Sequence, residues 1–315
     1  MTKYLNENQL TSIQGQRLGL EIEMTGRTRR ETAELLGQLF ATDVRHVGGY
    51  YDKYVVRDSK DRKWTVMSDG SIHEEMLLGS GLYRRTSDGD YSVELVTPTL
   101  PYEELGLVRV VVDLLKANGL KANESCGIHC HVSCSIEQTV GSLQTLLKLA
   151  EGREAMIYEA LGITPERESA WCSKVEIADK LDSISDMEEF WDVWYSSDNS
   201  AGRCGGYSDR DEHYNSTRYH GINLHSLYQD KGVEFRYFNG TLDSGLILVY
   251  AQFCAALNAF SQNNAGEPIK FYDERKLDYT QAHKKALFGR FLRNRLGMSG
   301  PEFSYARKVL LKNFC

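Results

Sequence analysis

The stretch Arg17-Leu18-Gly19-Leu20-Glu21-Ile22-Glu23-Met24 alternates strictly. In a β-strand it puts Leu18, Leu20, Ile22 and Met24 on one face and Gly19, Glu21 and Glu23 on the other. Three further segments repeat the arrangement. Ser92 and Glu94 flank Val93, His129 and His131 flank Cys130, and Glu234 and Arg236 flank Phe235. Period two places each polar pair on one face about 6.5 to 7 Å apart, with the apolar neighbours turned to the core. A half-solvated antiparallel sheet alternates in the same way, so one such pair has an ordinary reading as a solvated face. Four together differ in composition. They offer carboxylates, imidazoles and a guanidinium where Thr, Lys, Ser and Gln are usual, and Gly19, Gly127 and Gly232 beside them permit close approach.

The segments between these strands give the fold class. Thr28 and Glu31 form a capping-box pattern ahead of a helix ending near Phe40. A hairpin is expected from Tyr54–Asp58 and Trp64–Met67, closing on the turn-like Asp69-Gly70. Another strand, Tyr91–Thr97, stops at Pro98, and a helix runs from about Glu103 to Ala117. After the strand Gly127–Ser133, a long helical pattern covers Ile136–Leu161. Residues Thr164 to Thr217 are harder to read, and they include a loop, Ser196–Ser216, rich in Ser, Gly and Asp. A loop of that length inside a compact domain is more often functional or mobile than idle. Tyr219–His225 and Gly232–Asn239 read as a second hairpin, backed by a helix from about Asp243 to Ser261. The order implies an α+β protein: a twisted, mostly antiparallel sheet with helices packed on one face. The expected organisation is a catalytic domain over 1–270, with 164–217 as a variable insertion or lid, and a basic helical extension over 271–315 packed on it.

Bulk properties exclude several classes. The 315 residues are 41% apolar and 26% charged, enough for a large core, and the net charge of −7 favours neither nucleic acid nor an anionic membrane as partner. The charge is uneven: from Gln281 onward eight Lys or Arg face a single acid, Glu302. The ordinary account of that segment is a solvated helix face, the alternative a docking surface. Seven scattered cysteines without a CxxC pair read as reduced thiols. With no secretory leader and no apolar run near the ~20 residues of a membrane helix, the chain reads as cytoplasmic.

Carboxylates gathered on one face repel unless cations lie among them, and hard oxygen ligands suit magnesium or manganese, particularly where phosphate oxygens complete the shell. His129 and His131 could contact metal or phosphate. A strand HxH can also bind zinc, although no HExxH accompanies it. Arg236 fits a phosphate clamp, and an ion pair across the sheet is its structural alternative. Asp69 is explained equally well as a bare Asp-Gly turn.

Six segments together resemble a known family. They are Gly19–Glu23, Trp64–Ser71, Val93–Pro98, Gly127–Val132, the pairs Arg218-Tyr219 and Asn223-Leu224, and Val233–Asp243. In that order they are similar to the amidoligases of bacteria and phages, related in turn to carboxylate–amine ligases of the glutamine synthetase or glutamate–cysteine ligase fold. The resemblance covers about Gly15 to Phe260. It implies ATP, two or more Mg²⁺ ions (Mn²⁺ as a substitute), an acyl-phosphate intermediate and attack by an amine. It implies Glu21, Glu23, Glu94, His129, His131 and Glu234 as metal ligands, and Glu21, His129, His131, Asn223 and Arg236 as cofactor contacts. Arg236, Asp69 and Arg218 take catalytic roles. The partners would be a small-molecule or peptide carboxylate and an amine, with self-association as in related ligases. Residues 164–217 match poorly apart from Arg167 and Trp171, so substrate choice does not carry over. Two alternatives stay open: a zinc-dependent hydrolase using the HxH strand, and a binding protein without turnover.

Overall fold

The computed structural model describes residues 11–196, 199, 210–212, 214–267 and 280–314. The chain divides into two compact units. The first comprises Leu18–Cys130 and Phe238–Tyr250, and the second holds Met1–Arg17, His131–Tyr237 and Ala251–Cys315.

The first unit is built from β1 (Arg17–Met24), α1 (Arg29–Phe40), β2 (Arg45–Gly48), β3 (Lys53–Arg57), β4 (Lys63–Met67), β5 (Glu75–Leu77), β6 (Tyr83–Arg85), β7 (Val93–Val96), β8 (Leu100–Pro101), α2 (Gly106–Ala117) and the start of β9 (Gly127–Ser133). Its main sheet runs β9-β1-β7-β4-β3-β2, β8 also pairs with β1, and β5 and β6 form a separate hairpin. The β1–β7, β7–β4, β4–β3 and β3–β2 pairings are antiparallel, and the last carries a register shift between His46 and Gly48.

The alternation of β1 is realised as expected. Leu18, Leu20, Ile22 and Met24 are buried together with Val56, Trp64, Val66, Val93 and Leu95. Each such side chain contributes about 1.5–3 kcal/mol of burial. Thr28 and Glu31 close a complete capping box on α1, and Ala41 ends the helix in the left-handed region at φ 53°. Helix α2 buries Val108, Val111, Val112 and Leu115, the i, i+3, i+4, i+7 stripe of a core-facing helix. Gly26 sits at φ +106°, and a Cβ there would lie 2.5 Å from the Gly119 carbonyl, so only glycine fits the turn after β1.

The second unit contains the end of β9, then α3 (Val140–Glu151), α4 (Glu154–Leu161), α5 (Pro165–Trp171), α6 (Met187–Trp194), β10 (Ile222–Asn223), α7 (His225–Tyr228) and β11 (Val233–Asn239). α8 (Ser244–Asn263) begins in the first unit and continues into the second from Ala251, and α9 (Gln281–Arg290) and α10 (Ser304–Leu310) follow there. β10 and β11 pair antiparallel, Asn223 opposite Glu234, and β9 is the other neighbour of β11. Phe288 packs on Phe253 of α8 and on Phe291 and Phe314, so aromatic contacts hold the C-terminal helices. The molecule is an α+β protein with a mostly antiparallel sheet.

Three expectations change, and one lies largely outside the described residues. The long helical pattern over Ile136–Leu161 is two helices, separated at Gly152 and Arg153. The strand expected over Tyr219–His225 shortens to Ile222–Asn223, because Asn223 caps a helical turn through bonds to the His225 and Ser226 amides. α8 is long and apolar enough, by length and composition, to span a membrane, and 78% of that stretch is buried within the structure. Most of the Ser196–Ser216 loop proposed as a lid, with Gly202, Gly205 and Gly206, lies outside the described residues, as do 271–279 of the basic extension.

Candidate active site

In the first unit the antiparallel register of β1 and β7 sets Glu23 directly opposite Glu94, with Glu21 two residues along the same face. His129 of β9 completes the group. Its Nδ1 lies 2.9 Å from Glu21 Oε2, and its Nε2 3.8 Å from Glu23 Oε1. The Gly127 amide donates to Glu23 Oε2 at 2.6 Å. Glu23, Glu94 and His129 are only 4–5% exposed, and the Glu21 side chain is 26% exposed. The face that alternation alone would allow to be solvated is therefore covered.

Burying Glu23 and Glu94 beside the partly exposed Glu21 is costly. At about 5 Å, with an effective dielectric near 20, each pair of negative charges repels by roughly 3 kcal/mol. One imidazole can supply at most one positive charge. Donor atoms of Glu21, Glu94 and His129 lie within 4.8 Å of one another. Opposite ligands of a six-coordinate magnesium ion stand about 4.2 Å apart, so the group needs only a small contraction to hold such a cation. Carboxylate oxygens with one imidazole form a hard donor set that fits Mg²⁺ or Mn²⁺.

Nearby, burial above all, and then the charge of Glu23 among smaller influences, push the Cys126 thiol up to about 12. It is protonated at neutral pH and is no nucleophile. Asp69 lines a 680 Å³ cavity of the same unit with Tyr50, Tyr51, His73, Glu74 and Ser92. Its carboxylate accepts from the Ser71 amide at 2.7 Å and the Ser71 hydroxyl at 2.5 Å, an Asx turn, so the structural account of Asp69 is realised on the wall of a cavity.

The remaining candidates fall in the second unit. Arg236 Nη1 donates to Glu234 Oε1 at 2.5 Å, and Asn223 Nδ2 to Glu234 Oε2 at 2.6 Å. All three residues are buried. The ion-pair alternative for Arg236 is thus real, and one partner is Glu234, two positions away on the same strand. Arg167 Nη2 donates to the Arg236 carbonyl at 3.1 Å, and the Arg236 amide donates to Gly221 at 2.8 Å, fixing the backbone beneath the guanidinium. His131 Nδ1 lies 3.2 Å from the Ser226 hydroxyl. Arg218 stands over the rings of Tyr214 and Tyr219, centroids 5.0 and 5.8 Å away. That contact does not join it to the Asn223–Glu234–Arg236 group.

The sequence pattern of the family described as "Putative amidoligase enzyme" matches residues 14–258. The chain belongs to the amidoligase family. No curated protein matches. The structure is similar, at a TM-score of 0.33 and 11% identity, to a chain in a crystal structure of the complex between the prokaryotic ubiquitin-like protein Pup and its ligase PafA. That similarity covers 96% of this chain and 63% of the other. So low a TM-score carries nothing about activity, and the family assignment rests on the sequence match.

Within this amidoligase-family chain, several contributors to the site had no sequence signal. The Gly127 amide and the Ser226 hydroxyl act through backbone placement. Outside the site, the buried Glu154 is held well above the usual carboxylate range by desolvation, an acid that neither spacing nor alternation marks.

Proposed function

We propose that this chain is an ATP- and Mg²⁺-dependent ligase that joins a small-molecule or peptide carboxylate to an amine through an acyl phosphate. One observation carries the reading: the convergence of donor atoms of Glu21, Glu94 and His129, with the buried Glu23 beside His129, in a chain of the amidoligase family. These four would hold a divalent cation, and the same reading makes Glu234 and His131 further ligands. When bound, the cations supply positive charge to phosphate oxygens.

The chemistry is conservative in atoms and charge. A substrate carboxylate oxygen bonds to the γ-phosphorus of ATP as the bond to the β-phosphate oxygen breaks, and ADP leaves. The amine nitrogen then bonds to the acyl carbon, phosphate departs with the electron pair of its C–O bond, and the nitrogen gives up a proton. A free carboxylate does neither step unaided, because its oxygen is a poor leaving group and its charge repels a phosphoryl group. Arg236 is suited to phosphoryl oxygens, since its guanidinium is held in one orientation by Glu234 and its backbone by Gly221 and Arg167. The buried thiols take no part.

The test is release of ADP and phosphate by the purified protein with Mg²⁺ and a pool of carboxylates and amines, compared with Glu94→Gln. Amine-stimulated release that the variant lacks is expected. Equal turnover in both proteins, or one tightly bound zinc with no nucleotide binding, would overturn the reading.

A further inference from the structure

A second cavity, 580 Å³ in volume, lies wholly within the second unit and has no role in the chemistry above. Its size is in the range of about 300–1,000 Å³ typical of small-molecule sites. Trp191 of α6 and Tyr228 of α7 form its aromatic corner, ring centroids 5.3 Å apart and planes at 79°. Met187 and Leu227 add apolar wall, and the exposed carboxylates of Glu137 and Asp230 border it.

Two rings nearly at right angles suit a planar ring, which lies face-on to one and edge-on to the other. The bordering carboxylates repel phosphate and instead accept hydrogen bonds from sugar hydroxyls. Two adjacent segments tie the cavity to the anion-binding candidates of the same unit. Ser226 contacts His131 while the next residues, Leu227 and Tyr228, line the cavity, and Val132, the residue after His131, lines it too. Gly232, at φ +82°, keeps that wall open to the backbone: a Cβ there would lie 2.7 Å from the Val132 carbonyl.

We propose that this cavity holds the nucleobase of the nucleotide, with the sugar toward Glu137 and Asp230 and the phosphates toward His131; this rests on the ATP reading above. Calorimetry with three probes tests it: a non-hydrolysable ATP analogue with Mg²⁺, tripolyphosphate with Mg²⁺, and adenosine alone. Tyr228→Ala, at a half-buried position, is expected to weaken the analogue and adenosine about tenfold, the usual effect of one lost base stack, and to leave tripolyphosphate unchanged. Tyr228→Phe keeps the ring and restores affinity. Met187→Ala removes apolar wall without adding charge and provides a second variant with the same expected selectivity. Unchanged affinity for the base-bearing ligands, or an equal loss for all three, overturns the assignment. Wild-type protein that binds the analogue no better than tripolyphosphate overturns the base site alone. Binding of none of the three removes the ATP reading with it.

Discussion

Glu23→Gln separates the site's chemistry from its architecture. Glutamine is nearly isosteric, and its side-chain carbonyl can still accept the Gly127 amide that Glu23 now holds at 2.6 Å. What is lost is the charged part of that bond, about 1 kcal/mol. Against this, one carboxylate disappears from a face shared with Glu21 and Glu94, relieving repulsion of up to about 3 kcal/mol per pair. The two terms oppose each other, so folding stability should change by no more than about 2 kcal/mol. Cation affinity has no such offset. At about 5 Å and an effective dielectric near 20, a divalent ion gains twice the single-charge energy, roughly 6 to 7 kcal/mol, from one carboxylate. Solvent and the neighbouring carboxylates cut this to about half, still enough for roughly a hundredfold loss of affinity. The assay is ADP release titrated with Mg²⁺, with a thermal melt in EDTA as the stability control. A variant that melts like wild type and half-saturates at the same Mg²⁺ concentration would refute the cation assignment.

Arg236→Lys retains the charge but not the planar fork; turnover should fall by about 10² or more while the melt changes little, and a variant with normal turnover would leave Arg236 a structural role, as in its ion pair with Glu234. Asp58 gives a pH prediction. Burial alone would raise its carboxyl, but hydrogen bonds from Trp64, Arg62 and Lys60 outweigh it and hold the group below its ordinary value of 3.8. A depressed carboxyl stabilises the fold above 3.8, and the stabilisation disappears as pH falls below that value, so Asp58→Asn should cost about 1–3 kcal/mol at pH 7 and nearly nothing at pH 2 in denaturant titrations. Gly26→Ala should destabilise by about 2 kcal/mol or more, since its left-handed backbone and the Gly119 carbonyl both exclude a Cβ; a variant with an unchanged denaturation midpoint would contradict that geometry.

The strands that carry chemistry were legible because their alternation is strict and their core residues β-branched or aliphatic. β1, the β3–β4 hairpin and β11 stand close to where periodicity puts them. The capping box of α1 was readable for the same reason, as four residues suffice to specify it. β2, β5 and β6 escaped because each has four residues or fewer, too short for a period to show. Gly152 does not read as a break in the long helical pattern because one glycine costs a helix only about 1 kcal/mol. The site residues share faces as alternation implied. Their burial was not legible, since alternation says which residues lie together and nothing about what covers them. The pairing of Arg236 with Glu234 was equally hidden, because period two makes the two neighbours without saying that they bond.

β2 closes the strand order of the first unit, and among the described residues one side of its backbone has no neighbouring strand in the sheet. A flat free edge is a template on which another chain can add a strand and start aggregation. Here the template is spoiled twice over. Arg45 and His46 put exposed basic groups on a strand of only four residues, and the register shift before Gly48 breaks the spacing an incoming strand would need. Replacing those side chains with apolar ones would leave the carboxylate cluster intact while making the protein prone to growing by its edge.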